Sequence, residues 1–214
     1  MHDTALLTGR LFAQVYGKDG MTVVDVGGLD ENGSLRSYFE DQKMKYICVD
    51  IAEHSSVDIV VKPGDKLPFS SGSIDLVIST SCFEHDPCFW MTFREMTRIC
   101  AMDGYIYVNA PANGVYHCYP GDNYWFYADA AQALAFWASK ELYSEMFPVC
   151  PVKVVETFHV FPMEDIWTDF VCVWQRTNDV CESQITLTEE QKNHYGVLRQ
   201  AIRDQGVNTG TMIK

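Results

Sequence analysis

Basic residues are scarce in this sequence, which has 16 Lys and Arg against 29 Asp and Glu among 214 residues, a formal charge of −13. Nucleic-acid binding relies on Lys and Arg to neutralise phosphates, and no local basic cluster offsets the acidic balance. Apolar runs are also shorter than the roughly 20 residues that cross a bilayer. The sequence therefore predicts neither a nucleic-acid-binding protein nor one that spans a membrane.

Signals for export, disulfide bonds and metal binding are missing as well. The first residues lack the basic stretch and apolar core of a secretory signal, so we expect a cytoplasmic protein. The eight cysteines are scattered without a C-x-x-C pair, and the six histidines show no metal-ligand spacing, so no metal is predicted. Free cysteine behaves as a small buried hydrophobe, which favours reduced core cysteines over a disulfide framework or a zinc site.

The length is typical of one globular domain, and short β-branched runs alternate along it with amphipathic segments. This alternation predicts an α/β fold, a doubly wound, mostly parallel sheet of about seven strands. A single domain over 1–214 would contain an N-terminal helix over 1–18, core sheet and helices over 21–176, a C-terminal helix over 188–204 and a flexible tail over 205–214. The expected strands are Met21–Val26, Lys45–Asp50, Ile74–Ser79, Tyr105–Ala110, Val152–Val160 and Asp169–Arg176, and the expected core helices are Ser34–Asp41, one opening at Asp86 and Pro87, and Asp129–Tyr143.

Local signals set several boundaries of these elements. Asp103 and Gly104 form a stop signal for the helix that opens at Asp86. The last two strands have no helix-length segment between them, so they should pair antiparallel through a turn at 162–165. Thr188 and Gln191 form a capping box, and Tyr195, Leu198 and Ile202 should share one face of the final helix.

Residues that directly follow the first two strands point to a nucleoside ligand. In a doubly wound sheet, ligands bind at the carboxyl ends of the strands. A loop with three glycines, Gly27, Gly28 and Gly33, follows the first strand and lets backbone amides approach a ligand. Asp50 ends the second strand about 20 residues further on, where a carboxylate accepts both hydroxyls of a ribose.

The charge of the glycine loop separates two nucleoside cofactors. Asp30 and Glu31 follow the glycines and would repel the pyrophosphate of a nicotinamide cofactor. S-adenosylmethionine carries a sulfonium and an ammonium and no phosphate, so it suits an acidic loop better. A nicotinamide oxidoreductase is therefore the less favoured reading.

Further stretches of the chain carry a family resemblance. Phe83-Glu84-His85 follows the strand Ile74–Ser79. The end of the strand Tyr105–Ala110 and the segment after it read Asn109-Ala110-Pro111, His117-Cys118-Tyr119-Pro120-Gly121-Asp122 and Phe126-Tyr127-Ala128-Asp129. Together with 25–34, 49–51, 67–69 and 73–79, these stretches resemble the class I S-adenosylmethionine-dependent methyltransferases, specifically the type 11 group. One departure is that Tyr124-Trp125 stands where the group commonly has Trp-Arg, which removes a cation.

The resemblance implies a cofactor, S-adenosylmethionine with S-adenosylhomocysteine as product, and a set of site residues. Catalytic candidates are His85, His117 and Tyr119, of which His85 is either a general base or a tie between its strand and the next helix. Asp25 either orients the methionyl amino group or caps the glycine loop. The implied cofactor-binding residues are Asp25, Gly27, Gly28, Leu29, Asn32, Asp50, Ile51, Lys66, Leu67, Ser81 and Glu84.

The predicted function is methyl transfer from S-adenosylmethionine to a small-molecule or sugar-type acceptor, at oxygen or nitrogen. A catalytically weak scaffold that binds the cofactor, or a regulatory partner, is the alternative. The aromatic segment from Tyr116 to Tyr127 could stack on a flat acceptor, hold a sulfonium, or form the interface of a homodimer.

Overall fold

The computed structural model describes residues 3–117, 121–141, 148–161, 166–179, 186–194 and 196–211. Within these ranges the chain forms six helices and eight strands. The helices are α1 (Asp3–Tyr16), α2 (Arg36–Glu40), α3 (Phe89–Ile99), α4 (Ala130–Ala138), α5 (Glu189–Asn193) and α6 (Val197–Asp204). The strands are β1 (Thr22–Val26), β2 (Lys45–Asp50), β3 (Ile59–Val60), β4 (Ile74–Thr80), β5 (Cys100–Pro111), β6 (Val152–Phe161), β7 (Asp169–Arg176) and β8 (Asn208–Gly210).

The described strands form one sheet in the order β3-β2-β1-β4-β5-β7-β6-β8. Strands β1 to β5 pair in parallel, and β7, β6 and β8 continue the sheet in antiparallel pairing. The predicted fold class, a mostly parallel doubly wound sheet with an antiparallel C-terminal hairpin, is confirmed. The strand order reverses between β1 and β4, so the carboxyl ends of these two strands define the crevice where a ligand binds.

Helices cover both faces of the sheet because its central strands are apolar on both sides. On one face Val24 and Val77 pack with Phe93 of α3 and with Trp174. On the other face Ile78 packs with residues of α1, α2 and α6. Each fully buried side chain of this size stabilises the fold by about 1.5–3 kcal/mol, so this two-faced core holds the strand ends in place.

Two buried carboxylates tie distant segments together. Glu95 forms a two-point ion pair with Arg98, with N···O distances of 2.8 and 2.7 Å, and also accepts the Leu67 N–H at 2.8 Å. Glu156 of β6 accepts the hydroxyl of Tyr16 at 2.6 Å and the first amides of α6, including that of Leu198 at 3.0 Å. Glu156 therefore joins α1, which contacts α6, to the antiparallel half of the sheet.

Several helix boundaries differ from the predicted ones. Helix α3 ends at Ile99, and Asp103 and Gly104 lie inside the longer strand β5 rather than stopping the helix. A Cβ on Gly104 would come within 2.7 Å of the Asp75 carbonyl oxygen, so glycine here permits close pairing of two strands. Helix α2 is shorter than Ser34–Asp41, and α3 begins at Phe89 rather than at Asp86 and Pro87. Helix α4 ends at Ala138, and the last two positions of the predicted Asp129–Tyr143 helix, 142 and 143, lie outside the described residues.

The C-terminal segment differs most from expectation. The predicted helix over 188–204 is divided into α5 and α6, because Gly196 must pack against Glu156, whose side chain lies 2.0 Å from the position of an added Cβ. The capping box of Thr188 and Gln191 is present at the start of α5. Within the segment predicted to be a flexible tail, 205–214, Asn208–Gly210 form β8, which pairs with β6, and 212–214 lie outside the described residues. Tyr195 and the predicted turn at 162–165 lie outside the described residues.

The six cysteines in the described ranges are free thiols, and Cys118 and Cys181 lie outside those ranges. No helix in the described part of the chain is both long enough and apolar enough to cross a membrane.

Candidate functional site

The loop after β1 packs tightly against the loop after β4. The Gly27 N–H donates to the Val49 carbonyl oxygen at 2.8 Å, which carries the chain from β1 toward the end of β2. Gly27 has φ of 74°, and an added Cβ would lie 2.2 Å from the Cys82 sulfur. Both the backbone angle and the contact therefore require glycine.

Asp25 lies beneath the glycine loop. Its residue exposure is 1%, the Tyr46 hydroxyl donates to Oδ2, and Oδ1 has no hydrogen-bond partner in the described structure. An added Cβ on Gly28 would meet the carboxyl carbon at 2.7 Å, so the loop backbone rests on this carboxyl group. Burial raises the pKa of Asp25 to about 7; the negative charge of Asp50 adds to the rise and the Tyr46 hydrogen bond opposes it.

Asp50 connects two loops at the end of β2. Its Oδ2 accepts the Leu29 N–H at 3.2 Å and its Oδ1 accepts the Ala52 N–H at 2.9 Å. A carboxylate offers about four acceptor positions, so both oxygens keep capacity for ligand hydroxyls. Ile51 follows directly, and its 56% exposure leaves an apolar surface beside the carboxylate.

The remaining candidates from the first half of the chain fall into two groups. Asn32 and Lys66 are exposed at the rim of the strand ends. Leu67 is 6% exposed and its side chain belongs to the apolar core. Its backbone is held by Glu95 and Arg98, so the structure places Leu67 in a structural position.

Buried oxygen atoms without a partner in the described structure gather at the ends of β4 and β5. They are Thr80 Oγ1, Ser81 Oγ, Glu84 Oε2 and Asn109 Oδ1. Ser81 also has φ of 51°, a left-handed conformation that is uncommon for residues other than glycine. Thr80 and Asn109 were not among the predicted site residues. The sequence signal that could have identified them is a polar residue at the end of an apolar strand.

The two candidate histidines meet above these strand ends, although 32 positions separate His85 from His117. Their ring centroids are 5.1 Å apart. His85 Nδ1 lies 2.5 Å from the Gly121 carbonyl oxygen, and His117 Nδ1 lies 3.0 Å from Asp122 Oδ2. Glu84 Oε1 is 3.7 Å from His85 Nε2. Tyr119, the third catalytic candidate, lies outside the described residues.

Glu84 is 2% exposed at the base of this cluster. Burial raises the pKa of Glu84 to about 8, and the negative charges of Asp122 and Asp169 add to the rise. Its backbone carbonyl accepts the Asn123 N–H at 2.7 Å, which ties the end of β4 to the loop after β5.

The aromatic segment after β5 divides into a buried and an exposed part. Phe126 is 3% exposed and packs on Phe89 of α3. Tyr116, Trp125 and Tyr127 are 73%, 49% and 59% exposed. A shallow cavity of about 250 Å³ opens here, lined by Tyr116, Asp122, Asn123, Tyr124 and Trp125.

Strand order, the glycine loop over β1 and the carboxylate at the end of β2 match the Rossmann-like fold of solved methyltransferase structures. Residues 24–108 match the family model described as a methyltransferase domain, of the type 11 group. The predicted resemblance to class I methyltransferases is thereby confirmed for the segment that carries β1 to β5.

Known proteins similar to this chain agree with that assignment. An uncharacterized methyltransferase of Mycobacterium sp. (strain JLS) is 32% identical over 108 residues, which span 45% of this chain and 42% of the relative. The match thus covers less than half of that relative's length.

Solved structures share the fold at low sequence identity. The 1,6-didemethyltoxoflavin-N1-methyltransferase of Burkholderia thailandensis, with bound 1,6-didemethyltoxoflavin and S-adenosylhomocysteine, has a TM-score of 0.63 and 15% identity, covering 82% of this chain and 80% of that one. A 4+2 cyclase has a TM-score of 0.58 and 11% identity, covering 81% and 80%. Proteins with this fold therefore include enzymes named for different reactions.

Proposed function

We propose that this protein transfers a methyl group from S-adenosylmethionine to a small-molecule acceptor. The observation that carries the proposal is the arrangement at the switch point, where Asp50 hydrogen-bonds the glycine loop and keeps acceptor capacity toward the crevice. The match of residues 24–108 to a methyltransferase domain supports the same conclusion.

Each part of the cofactor has a matching group at the strand ends. Asp50 accepts the ribose hydroxyls, and the exposed side chain of Ile51 packs on the adenine ring. Asp25 lies under Gly28 and offers a negative charge to the methionyl ammonium through the loop or a bridging water. Once that ammonium is bound, its charge favours ionised Asp25 over the protonated form that burial favours.

The acceptor enters from the side of the loop after β5. The cavity of about 250 Å³ lies there, and its aromatic lining suits a flat small molecule. The Burkholderia thailandensis enzyme, whose structure contains a small-molecule substrate, supports an acceptor of this class. A screen of small hydroxyl and amine acceptors would identify whether oxygen or nitrogen is the methylated atom.

Calorimetric titration with S-adenosylmethionine and S-adenosylhomocysteine tests the cofactor assignment. We expect binding to the wild-type protein and at least a tenfold loss in Asp50→Ala, because ribose hydrogen bonds to a charged group contribute about 1.5–3 kcal/mol. Asp19→Ala is the matched control, since Asp19 is 69% exposed and pairs with Lys43 at 3.7 Å. Absence of binding to the wild-type protein, or equal affinity in both variants, would contradict the assignment. Titration with NAD(H) should show no binding.

Turnover separates an enzyme from a cofactor-binding scaffold. Release of S-adenosylhomocysteine with a panel of small hydroxyl and amine acceptors is expected to depend on Asp50. Tight cofactor binding without methyl transfer to any acceptor would favour the scaffold instead.

A homodimer is a separate proposal for the exposed aromatic side chains. Tyr116, Trp125 and Tyr127 lie on the outer surface of the loop after β5, and such residues are enriched at interfaces. Sedimentation of the wild-type protein and of Tyr127→Ser over a range of concentrations tests it: a wild-type monomer at all concentrations rules it out.

A further inference from the structure

Glu84, His85 and His117 form a cluster outside the hydrophobic core, and no described contact assigns it a role in the proposed methyl transfer. Each offers one ligand atom, and these atoms all lie within 4.8 Å of one another. The three residues come from the end of β4 and from the loop after β5, so the fold alone brings them together. We propose that this cluster binds a divalent first-row transition-metal ion, with Zn²⁺ or Fe²⁺ as the matching chemistry.

The hydrogen bonds of the two rings leave one nitrogen of each free to bind a metal. A carbonyl oxygen only accepts hydrogen bonds, so His85 Nδ1 must donate its proton to Gly121 O, 2.5 Å away. His117 Nδ1 faces Asp122 Oδ2 at 3.0 Å and the Val115 carbonyl at 3.3 Å, which are also acceptors. The proton therefore occupies Nδ1 in both rings, and each Nε2 keeps a lone pair.

Metal-bound histidines in proteins have this arrangement, in which the second nitrogen donates to a carbonyl or carboxylate that fixes the ring. Asp122 is well placed as such a positioning residue because its side chain is only 4% exposed. Its second oxygen, Oδ1, has no partner within the described residues.

The carboxylate of Glu84 completes the set. With the proton on His85 Nδ1, the Nε2 lone pair faces Glu84 Oε1 across 3.7 Å, and Oε2 is buried without a partner in the described structure. A separation of 3.7 Å is too long for a hydrogen bond but fits two ligand atoms that each lie about 2.1 Å from one ion.

The donor set indicates the class of metal and of its ligand. Two imidazoles and one carboxylate suit Zn²⁺ or Fe²⁺, whereas Mg²⁺ and Ca²⁺ prefer oxygen donors alone. Three protein ligands leave coordination positions open, as in catalytic metal sites. Asp122, which contacts His117, also lines the 250 Å³ cavity, so a small molecule with an oxygen donor in that cavity would lie near the ion.

Titration of chelator-treated, full-length protein with Zn²⁺ tests the proposal, using a competing indicator dye. We expect one ion per chain for the wild-type protein and at least 100-fold weaker binding in His85→Ala and in His117→Ala. Asp122→Asn should weaken binding by about 10–100-fold, as for other residues that position a metal ligand. His54→Ala is the matched control and should bind like the wild type, because His54 is an exposed histidine on the loop after β2.

Glu84→Gln keeps the shape of the buried side chain, so it serves as a second ligand variant if an alanine variant fails to fold. The visible spectrum with Co²⁺ identifies the donor atoms. Weak d–d bands without a strong thiolate charge-transfer band support the proposal. Three results would overturn the proposal: a thiolate charge-transfer band, a wild-type affinity for Zn²⁺ no higher than that of the ligand variants, or binding of Mg²⁺ as tight as that of Zn²⁺. Because cofactor binding is measured separately with S-adenosylhomocysteine, failure of one proposal leaves the other standing.

Discussion

Replacing Asp25 by Asn should remove a penalty on stability that grows with pH. The pKa of this buried carboxyl is raised from 3.8 to about 7, so the folded protein retains the proton at pH values where the unfolded chain has lost it. A group whose pKa is raised on folding contributes stability below its unfolded pKa, and that contribution falls as the pH rises through the folded pKa.

The magnitude follows from the two pKa values, at about 1.4 kcal/mol per unit. Relative to low pH, the wild-type protein should lose about 1.7 kcal/mol from Asp25 at pH 5 and about 4 kcal/mol at pH 8. The amide of Asn does not titrate, so this loss is absent in the variant. The unfolding free energy of the variant minus that of the wild type should therefore rise by roughly 2–3 kcal/mol between pH 5 and pH 8.

Urea unfolding followed by tryptophan fluorescence at both pH values measures this difference. A buried amide hydrogen without a partner costs about 1–3 kcal/mol, but it does so equally at both pH values and cancels. Asp19→Asn is the control, since its exposed carboxyl should give a pH-independent difference. A difference for Asp25→Asn that also stays constant with pH would refute the raised pKa. Weaker binding of S-adenosylhomocysteine by Asp25→Asn would show that Asp25 lowers the stability of the fold but strengthens ligand binding.

Two further substitutions test the supports of the site, both by urea unfolding. Gly27→Ala should destabilise the protein by about 2–4 kcal/mol, because of the positive φ of Gly27 and the clash of the new Cβ with Cys82. Gly20→Ala is the control: Gly20 has φ of 82° but open space around it, so this change should cost only about 1 kcal/mol. Equal costs would contradict the close contact between Gly27 and Cys82. Glu95→Ala should lower the free energy of unfolding by about 3–5 kcal/mol, because it leaves the buried guanidinium of Arg98 without its ion-pair partner. Glu40→Ala, at a half-exposed ion pair, should lower it by less than about 1 kcal/mol. A loss for Glu95→Ala as small as that of the control would show that the buried pair adds little stability.

The fold was predictable where periodicity and strand chemistry act locally. The β-branched run at β1 predicts a strand that is buried on both faces, and the capping box at Thr188 needs only residues within one turn. The break at Gly196 was not predictable, because it depends on Glu156, 40 positions earlier in the chain. The close pairing at Gly104 was not predictable either, because it depends on the carbonyl of Asp75 in the neighbouring strand.

The candidate site was likewise predictable only where its residues follow a local sequence pattern. Asp50 and the glycines could be proposed from their place after two apolar strands. The histidine cluster could not, since metal-ligand spacing along the sequence applies to residues on one helix or one loop. His85 and His117 belong to loops after two different strands, and only the pairing of β4 with β5 brings them within 5.1 Å.

The contact between α1 and α6 also constrains how the chain is synthesised. Helix α1 buries Phe12 against a cluster that includes Leu198 and Ile202 of α6, about 180 residues later. At about 5–20 residues per second, the ribosome needs roughly 10–40 s to produce the missing half of this contact. During that interval the part of the α1 face that packs on α6 is exposed to other nascent chains, so the yield of folded protein should depend on chaperones that bind early segments and on the speed of translation.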